Sequence, residues 1–330
     1  MSPAPALVVQ TAFLGDVVLT TGLLNELADR GGLLDVVTTP AAAPLLEPHR
    51  AVRRVIRYDK QGRDRGVAGF LRTVRALRGE RYRCAWLPHR SLRSALLARM
   101  AGIPERIGFA GSPGALWYTH RIPRPESGHE AERILALAEP APGTRARVSL
   151  DLTVEDRAAA RNWLSSHLIA EPFIAMAPGS IWGTKRWRHY PELARLLPGP
   201  IVVLGSAADR ELGLAIAAAA PERTGVAAGQ LPLRAGAALI EMASVVVTND
   251  SAPLHLASAV GTRVVALFGP TVPAFGFGPR GMQDVIVEVP GLSCRPCSSH
   301  GPQVCPLGHH RCMGEITVER VAAAVRALTG

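Results

Sequence analysis

Several groups of residues in this 330-residue chain have the types and spacing to do chemistry. Gly15 and Asp16 directly follow the apolar run Ala6 to Gln10 and open an apolar-rich helical stretch that runs to Leu27. A carboxylate there reads equally as a helix N-cap or as a general base, beside a glycine that lets a ligand approach the backbone. Pro178, Gly179 and Ser180 follow a second apolar run and lead to Thr184, Lys185, Arg186 and Trp187. A compact ammonium near backbone donors suits a diphosphate, although a solvated basic loop is the plainer reading. That plainer reading loses weight because Lys60 and Lys185 are the two lysines among 37 basic residues, the other 35 being arginine. A third run ends at Thr248 and opens into Asn249, Asp250, Ser251, Ala252, Pro253, Leu254 and His255 at the start of a helix. Free amides at a helix start make an anion site. Asp250 there could accept from sugar hydroxyls and His255 reach the same ligand, or the pair could be a helix cap and a satisfied core histidine.

His89, Arg90 and Arg93 follow the apolar run Cys84 to Leu87 and are candidates for holding an acceptor. Cys294, Cys297, Cys305 and Cys312 are separated by two, seven and six residues, with His300, His309 and His310 nearby. Four soft ligands in so short a segment suit either a structural zinc site or thiols packed in a loop. There is no Asp-X-Asp, so the usual carboxylate pair for a catalytic metal is missing from the sequence, and no cofactor is expected.

These groups need elements to position them. Strands are expected at Ala6 to Gln10, Leu34 to Thr38, Cys84 to Leu87, Phe173 to Ala177, Ile201 to Leu204, Val245 to Thr248, Arg263 to Phe268 and Val285 to Val289. Helical stretches alternate with them, which predicts α/β architecture with mostly parallel sheets. The Pro, Gly and Arg-rich stretch from Pro140 to Leu150 divides the chain into domains 1–150 and 151–330, in accord with about 150 residues per domain. Two such domains in tandem make a cleft lined by the carboxyl ends of strands.

Composition sets the outer limits. A hydrophobic fraction of 48% against 19% charged residues excludes a disordered chain. No uncharged apolar run reaches the roughly 18 residues of a membrane span, and the first basic residue is Arg30. This predicts a soluble cytoplasmic protein. The net charge of +10 favours polyanions. Arg53, Arg54, Arg57, Arg63, Arg65, Arg72, Arg75 and Arg78 concentrate it in the first domain, where anionic lipid and acceptor phosphates are candidate partners and a solvated face is the alternative.

The run Gly15 to Leu24, the segment Pro178 to Trp187, the stretch TNDSAPLHLASAVGTRVVALFGPT from Thr248 to Thr271 and the tail from Cys294 to Val321 together resemble the family 9 glycosyltransferases. These are the bacterial ADP-heptose:lipopolysaccharide heptosyltransferases. PHRSLRSALLARMAGIPERIGF, from Pro88 to Phe109, resembles the heptosyltransferase II branch. The resemblance implies a GT-B fold: two Rossmann-like domains facing across a cleft, the first for the acceptor and the second for the nucleotide sugar, with the closing helix packing back on the first domain. It implies inverting transfer of heptose from ADP-heptose to a lipopolysaccharide core precursor at the inner face of the cytoplasmic membrane. Asp16 would be the base, Gly15, His89, Arg90 and Arg93 would meet the acceptor, and Lys185 would bind the diphosphate. Ser180, Thr184, Asp250, Ser251, Ala252 and His255 would surround the rest of the donor. Two departures stand out: Ile181 lacks a hydroxyl expected in some relatives, and Ala252 replaces the usual glycine. A single displacement needs one base and a holder for the departing diphosphate, which Asp16, Lys185 and helix amides supply without metal.

Two other classes fit parts of the sequence. A non-catalytic nucleic-acid binder would use the cysteine segment as a zinc module on a +10 body, but aromatics at 5% are too few for stacking platforms, so no nucleic-acid partner is expected. A GT-B-like epimerase would act on the nucleotide sugar without an acceptor.

Overall fold

The computed structural model describes residues 5–330. The chain divides into two compact units, Met1–Asp151 and Leu152–Gly330. The first unit carries strands β1 (Ala6–Val9), β2 (Leu34–Thr38), β3 (Val52–Arg57), β4 (Cys84–Leu87), β5 (Glu105–Phe109) and β6 (His120–Ile122). Its helices are α1 (Leu14–Gly31), α2 (Ala43–Leu46), α3 (Gly66–Gly79), α4 (Leu92–Met100) and α5 (Glu130–Leu135). The second carries β7 (Ile174–Ala177), β8 (Ile201–Val203), β9 (Thr224–Val226), β10 (Val245–Asn249), β11 (Val264–Phe268) and β12 (Val285–Glu288). Its helices are α6 (Val154–Ser166), α7 (Tyr190–Leu196), α8 (Arg210–Ala219), α9 (Leu233–Met242), α10 (Ala252–Val260), α11 (Arg311–Gly314) and α12 (Val318–Thr329).

The central strands are runs of β-branched and small apolar residues, such as VVVTN in β10 and VVALF in β11, buried along their whole length. Strands covered on both faces read this way because neither face meets water. Each sheet is six-stranded and parallel, with orders β3-β2-β1-β4-β5-β6 and β12-β11-β10-β7-β8-β9. Counted from its own first strand, each sheet has the same 3-2-1-4-5-6 order. The chain winds outward from one central strand, returns, and winds outward on the other side, leaving a crevice at the carboxyl ends of two neighbouring strands. Those neighbours are β1 and β4 in the first unit and β7 and β10 in the second, with Val8 opposite Trp86 and Val247 opposite Met176. Asp16 and His89 follow the first pair, Lys185 and Asp250 the second.

In the closing helix, Val321, Ala322, Val325 and Leu328 of α12 join Trp187, Tyr190, Val247 and Val265 in the core of the second unit. The indole N–H of Trp187 donates to the carbonyl of Ile316, 3.0 Å away, and Ile316 is fully buried just ahead of this helix. No helix among the described residues is long and apolar enough to cross a membrane.

Ile316→Ala should lower stability by about 2–5 kcal/mol through lost burial and a residual cavity. Urea unfolding measures it, and a loss below 1 kcal/mol would mean that the tail is peripheral to this core.

Candidate active site

In the first unit, Asp16 lies in the first turn of α1, and Phe13 precedes the helix in extended conformation. The Asp16 Oδ2 accepts from the Phe13 N–H at 3.2 Å. The N-cap is Phe13, so Asp16 is not itself the N-cap: as the third helical residue it reaches back to the Phe13 amide and closes the helix start from inside. Burial, reinforced by the charge of Glu130 and opposed by the Phe13 and Asp16 amides, pushes its carboxyl up to about 6. A carboxyl poised there can take a proton at neutral pH, so the same residue is also equipped to be a base. Gly15 is buried in the same turn.

The loops after β1, β3 and β4 meet beside it. The Lys60 Nζ donates to the Thr11 carbonyl at 2.8 Å, and the Thr11 hydroxyl lies 3.4 Å from the His89 Nδ1. Burial and the charge of Lys60 push His89 down to about 4, so the imidazole is neutral. Lys60 is a residue that motif reading missed as a site member, though its rarity in the sequence was the available signal. Arg93 is largely committed to packing: it donates to the Tyr58 hydroxyl at 2.5 Å and lies over the rings of Tyr58 and Phe70. Arg90 is exposed and donates to the Gly111 carbonyl at 2.7 Å.

Several arginines expected to face anionic partners are already paired. Arg53 and Arg54 converge on the buried Asp35, Arg57 meets Glu47 and Arg72 meets Asp64. Arg78 donates to the Met100 carbonyl. Arg63, Arg65 and Arg75 are exposed.

In the second unit, Lys185 closes a single tight turn, Gly183–Lys185, in the loop after β7. Its Nζ donates to the Asp250 Oδ2 at 2.6 Å, and the Thr271 hydroxyl donates to the same oxygen at 2.6 Å. All three residues are buried. Asp250 lies at the end of β10, immediately before α10, whose first turn leaves amides without partners inside the helix. Ser251 occupies the N-cap without a side-chain cap bond, its hydroxyl reaching the Asn249 carbonyl at 3.4 Å. Ala252 is the first residue of α10 and is not among the residues with positive φ. Alanine therefore sits there without strain, and its amide points along the helix start as a glycine's would. His255 is buried one turn on, its ring edge-on to Phe277.

Ser180 accepts at its hydroxyl from the Trp182 N–H at 3.2 Å, and Ile181 beside it is exposed. Thr184 is turned away: its hydroxyl donates to the Pro302 carbonyl at 2.5 Å, so its ties are to the tail. Asn249 is a further functional residue that the sequence showed only as part of a motif. Fully buried, it donates to the Pro178 carbonyl at 2.8 Å and accepts from the Trp187 N–H and the Tyr190 hydroxyl. It ties the end of β10 to both ends of the Lys185 loop.

The four tail cysteines are free thiols. Among the described residues no three His, Cys, Asp or Glu side chains are gathered to hold a metal ion. Cys312 packs into the second core, where burial and then the neighbouring Cys297, Cys305 and Cys294 push its thiol up to about 11, and the Cys297 thiol donates to the Cys294 carbonyl at 3.4 Å.

Residues 70–306 match the model of glycosyltransferase family 9 (heptosyltransferase), well over half of the chain. The chain belongs to this family. A lipopolysaccharide heptosyltransferase 2 of Salmonella typhimurium is 31% identical over 82% of this chain and 84% of its own length. The structure of the E. coli ADP-heptose lps heptosyltransferase II superposes with a TM-score of 0.80 at 27% identity, covering 98% of each chain. A family 9 structure from Veillonella parvula has a TM-score of 0.85 at 22% identity, covering 99% of this chain and 97% of its own. The twin 3-2-1-4-5-6 sheets are the Rossmann-like halves of a GT-B glycosyltransferase. Family 9 membership makes the protein an enzyme and sets aside the nucleic-acid-binding reading.

The raised pKa of Asp16 makes this family 9 protein's stability depend on pH. The folded carboxyl keeps its proton up to about pH 6, whereas an unfolded aspartate releases it near 3.8, so stability falls as pH rises through that window. Asp16→Asn does not titrate there, and its stability relative to the wild type should improve by about 1–3 kcal/mol between pH 4 and pH 6 and then level off. Parallel urea-denaturation curves for the two proteins across that range would show that the carboxyl is not perturbed.

Proposed function

We propose that the chain transfers heptose from ADP-heptose to a lipopolysaccharide inner-core acceptor by an inverting displacement that needs no metal. The first unit, residues 1–150 in the sequence reading, holds the acceptor and the second, 151–330, the nucleotide sugar. The names of the Salmonella and E. coli relatives support the donor and the acceptor class. The observation that carries the mechanism is the buried Lys185 ammonium beside the start of α10. A departing diphosphate needs positive charge where its own charge grows, and a fixed ammonium with helix amides supplies it in a water-poor site.

The step balances with one base. The acceptor hydroxyl gives its proton to the Asp16 carboxylate while its oxygen attacks the anomeric carbon from the face opposite the diphosphate. The bond from that carbon to the phosphate oxygen breaks, its electron pair leaving with ADP. Lys185 and the amides of Ser251 and Ala252 receive that charge. Asp250 and His255 border the donor sugar, with Ser180 on the other loop. Gly15 leaves room beside the base, and neutral His89, with Arg90 and Arg93 around it, borders the acceptor. Thr184 belongs to this reading through its backbone turn, since its hydroxyl is spent on Pro302. The acceptor is lipid-linked, so the enzyme works peripherally at the cytoplasmic membrane face, and exposed Arg63, Arg65 and Arg75 are the arginines to meet anionic lipid.

Asp16→Asn keeps the side chain's size and its acceptor oxygen for Phe13, so ADP affinity by calorimetry should hold while turnover falls about 10²- to 10⁴-fold. Near wild-type turnover would mean that Asp16 only closes the helix start and another group takes the proton.

Transfer should also survive thorough treatment with EDTA, because the leaving group is met by protein charge. Activity lost on chelation and restored by magnesium or manganese would overturn the metal-free reading. Heptose epimerised without acceptor would support the epimerase instead.

A further inference from the structure

The tail segment 294–312 has no part in the chemistry above, yet its polar contacts converge on two loops, the one that carries Lys185 and the one whose Thr271 bonds Asp250. On one side it grips the loop after β7. The Gly183 N–H donates to the Gln303 side-chain oxygen at 3.0 Å, and the Gln303 amide donates back to the Ile181 carbonyl at 3.0 Å. The Thr184 N–H and hydroxyl both donate to the Pro302 carbonyl, at 3.3 and 2.5 Å, and the His310 Nε2 lies 2.7 Å from the Thr184 carbonyl. The fit leaves no slack, since a Cβ on Gly183 would stand 2.4 Å from the Gln303 carbonyl oxygen.

On the other side the segment grips the loop after β11. The Cys297 N–H donates to the Pro270 carbonyl at 2.9 Å, and Arg295 donates to the Thr271 carbonyl at 2.8 Å. Arg295 is itself anchored on Glu288 and the Val289 carbonyl. Gly301, with φ of 80°, lies between the two loops, where a side chain would meet Pro270 at 2.9 Å and the Thr184 hydroxyl at 3.2 Å. From the gripped loops, Lys185 and Thr271 then reach the same oxygen of Asp250.

We propose that residues 294–312 are a clasp that fixes the phosphate-binding lysine, with Gln303 and Thr271 as its positioning residues. Gln303 sets the turn that carries Lys185, and Thr271 holds the Asp250 carboxylate that aims the ammonium. Neither touches the reacting atoms. A flexible four-carbon stem would otherwise lose its orientation, and the entropy of reordering it would weaken each ligand it binds.

The inference rests on the reading of Lys185 as a diphosphate ligand, so both are tested together, with ADP as the probe. ADP affinity is measured by calorimetry for wild type, Gln303→Ala, Thr271→Val, Thr271→Ser, Lys185→Ala and the Gln303→Ala/Lys185→Ala pair. Gln303→Ala should bind ADP about 3- to 10-fold more weakly, and Thr271→Val about 10-fold. Thr271→Ser, which keeps the hydroxyl, should bind nearly as the wild type does. Adding Gln303→Ala to Lys185→Ala should change affinity by less than about twofold, because a residue acting through the lysine has nothing left to act on. Gln303 is exposed, so its variant folds and decides the matter alone if Thr271→Val does not fold. Wild-type ADP binding by Gln303→Ala, or a full additional loss in the double variant, would overturn the clasp while Lys185→Ala still binds weakly. Wild-type binding by Lys185→Ala would overturn the diphosphate reading itself.

Discussion

An ammonium and a carboxylate buried together, Lys185 on Asp250 at 2.6 Å, impose the tightest constraint in the second unit. Removing two charges from water costs several kcal/mol each, recovered only when geometry is good and the remaining lone pairs are satisfied. The surroundings are what that requirement predicts. Thr271 donates to the carboxylate, Asn249 fixes the strand end that carries it, and the loop bearing the lysine is closed by its own tight turn and by the tail. A buried ion pair is weak evidence for stability. In the proposed function the pair is a cation held ready, with its counter-charge in place until a ligand's phosphates compete for it.

The same topological solution appears twice, and chemistry divides between the copies according to what each loop can carry. Each sheet has its crevice where winding reverses, between β1 and β4 or between β7 and β10. The first crevice received a carboxyl raised toward neutrality, a neutral imidazole and a lysine on a carbonyl. The second received a cation beside a helix start. In the proposed roles a base must lose charge to act and a phosphate holder must keep it, so burial is an asset to Asp16 and a cost to Lys185. That difference explains why the lysine comes with a hydrogen-bonded counterion while Asp16 has Glu130, a like charge, as its electrostatic neighbour.

Strands buried on both faces were legible because water is excluded from every residue of β2, β7, β10 and β11, leaving long apolar runs. The strands that pattern reading passed over were β3, β5, β6 and β9. Three of these are sheet edges, and β5 lies next to one. VRRVIR in β3 and HRI in β6 keep charged side chains because an edge has one side open to solvent. In the site, Asp16, Lys185 and Asp250 were legible as residue types at strand ends. The commitments of Thr184 and of the cysteines were not, because they depend on a tail more than 100 residues away in sequence folding onto the β7 loop. Cysteine spacing left metal and packing both open, and the fold places Cys312 in the core and Cys297 against its own loop.

The two lysines bring these arguments to one point. A chain with 35 arginines has lysine at 60 and 185, and each stands at the carboxyl end of a sheet with its Nζ on an oxygen, Thr11's carbonyl or Asp250's carboxylate. Guanidinium is planar and presents its donors in a rigid fork, which serves Arg53 well in its two-pronged hold on Asp35. It serves poorly where a cation must sit in a narrow space and then turn from one oxygen to another. Ammonium is compact and donates in three rotatable directions, so it can exchange an internal acceptor for a ligand's without the loop moving. Burial and the charge of Arg93 already pull Lys60 below the ordinary lysine range, so its hold on a proton, like its partner, answers to what comes near. In a sequence that otherwise defaults to arginine, lysine stands at the two positions where a compact donor meets a single oxygen at the carboxyl end of a sheet.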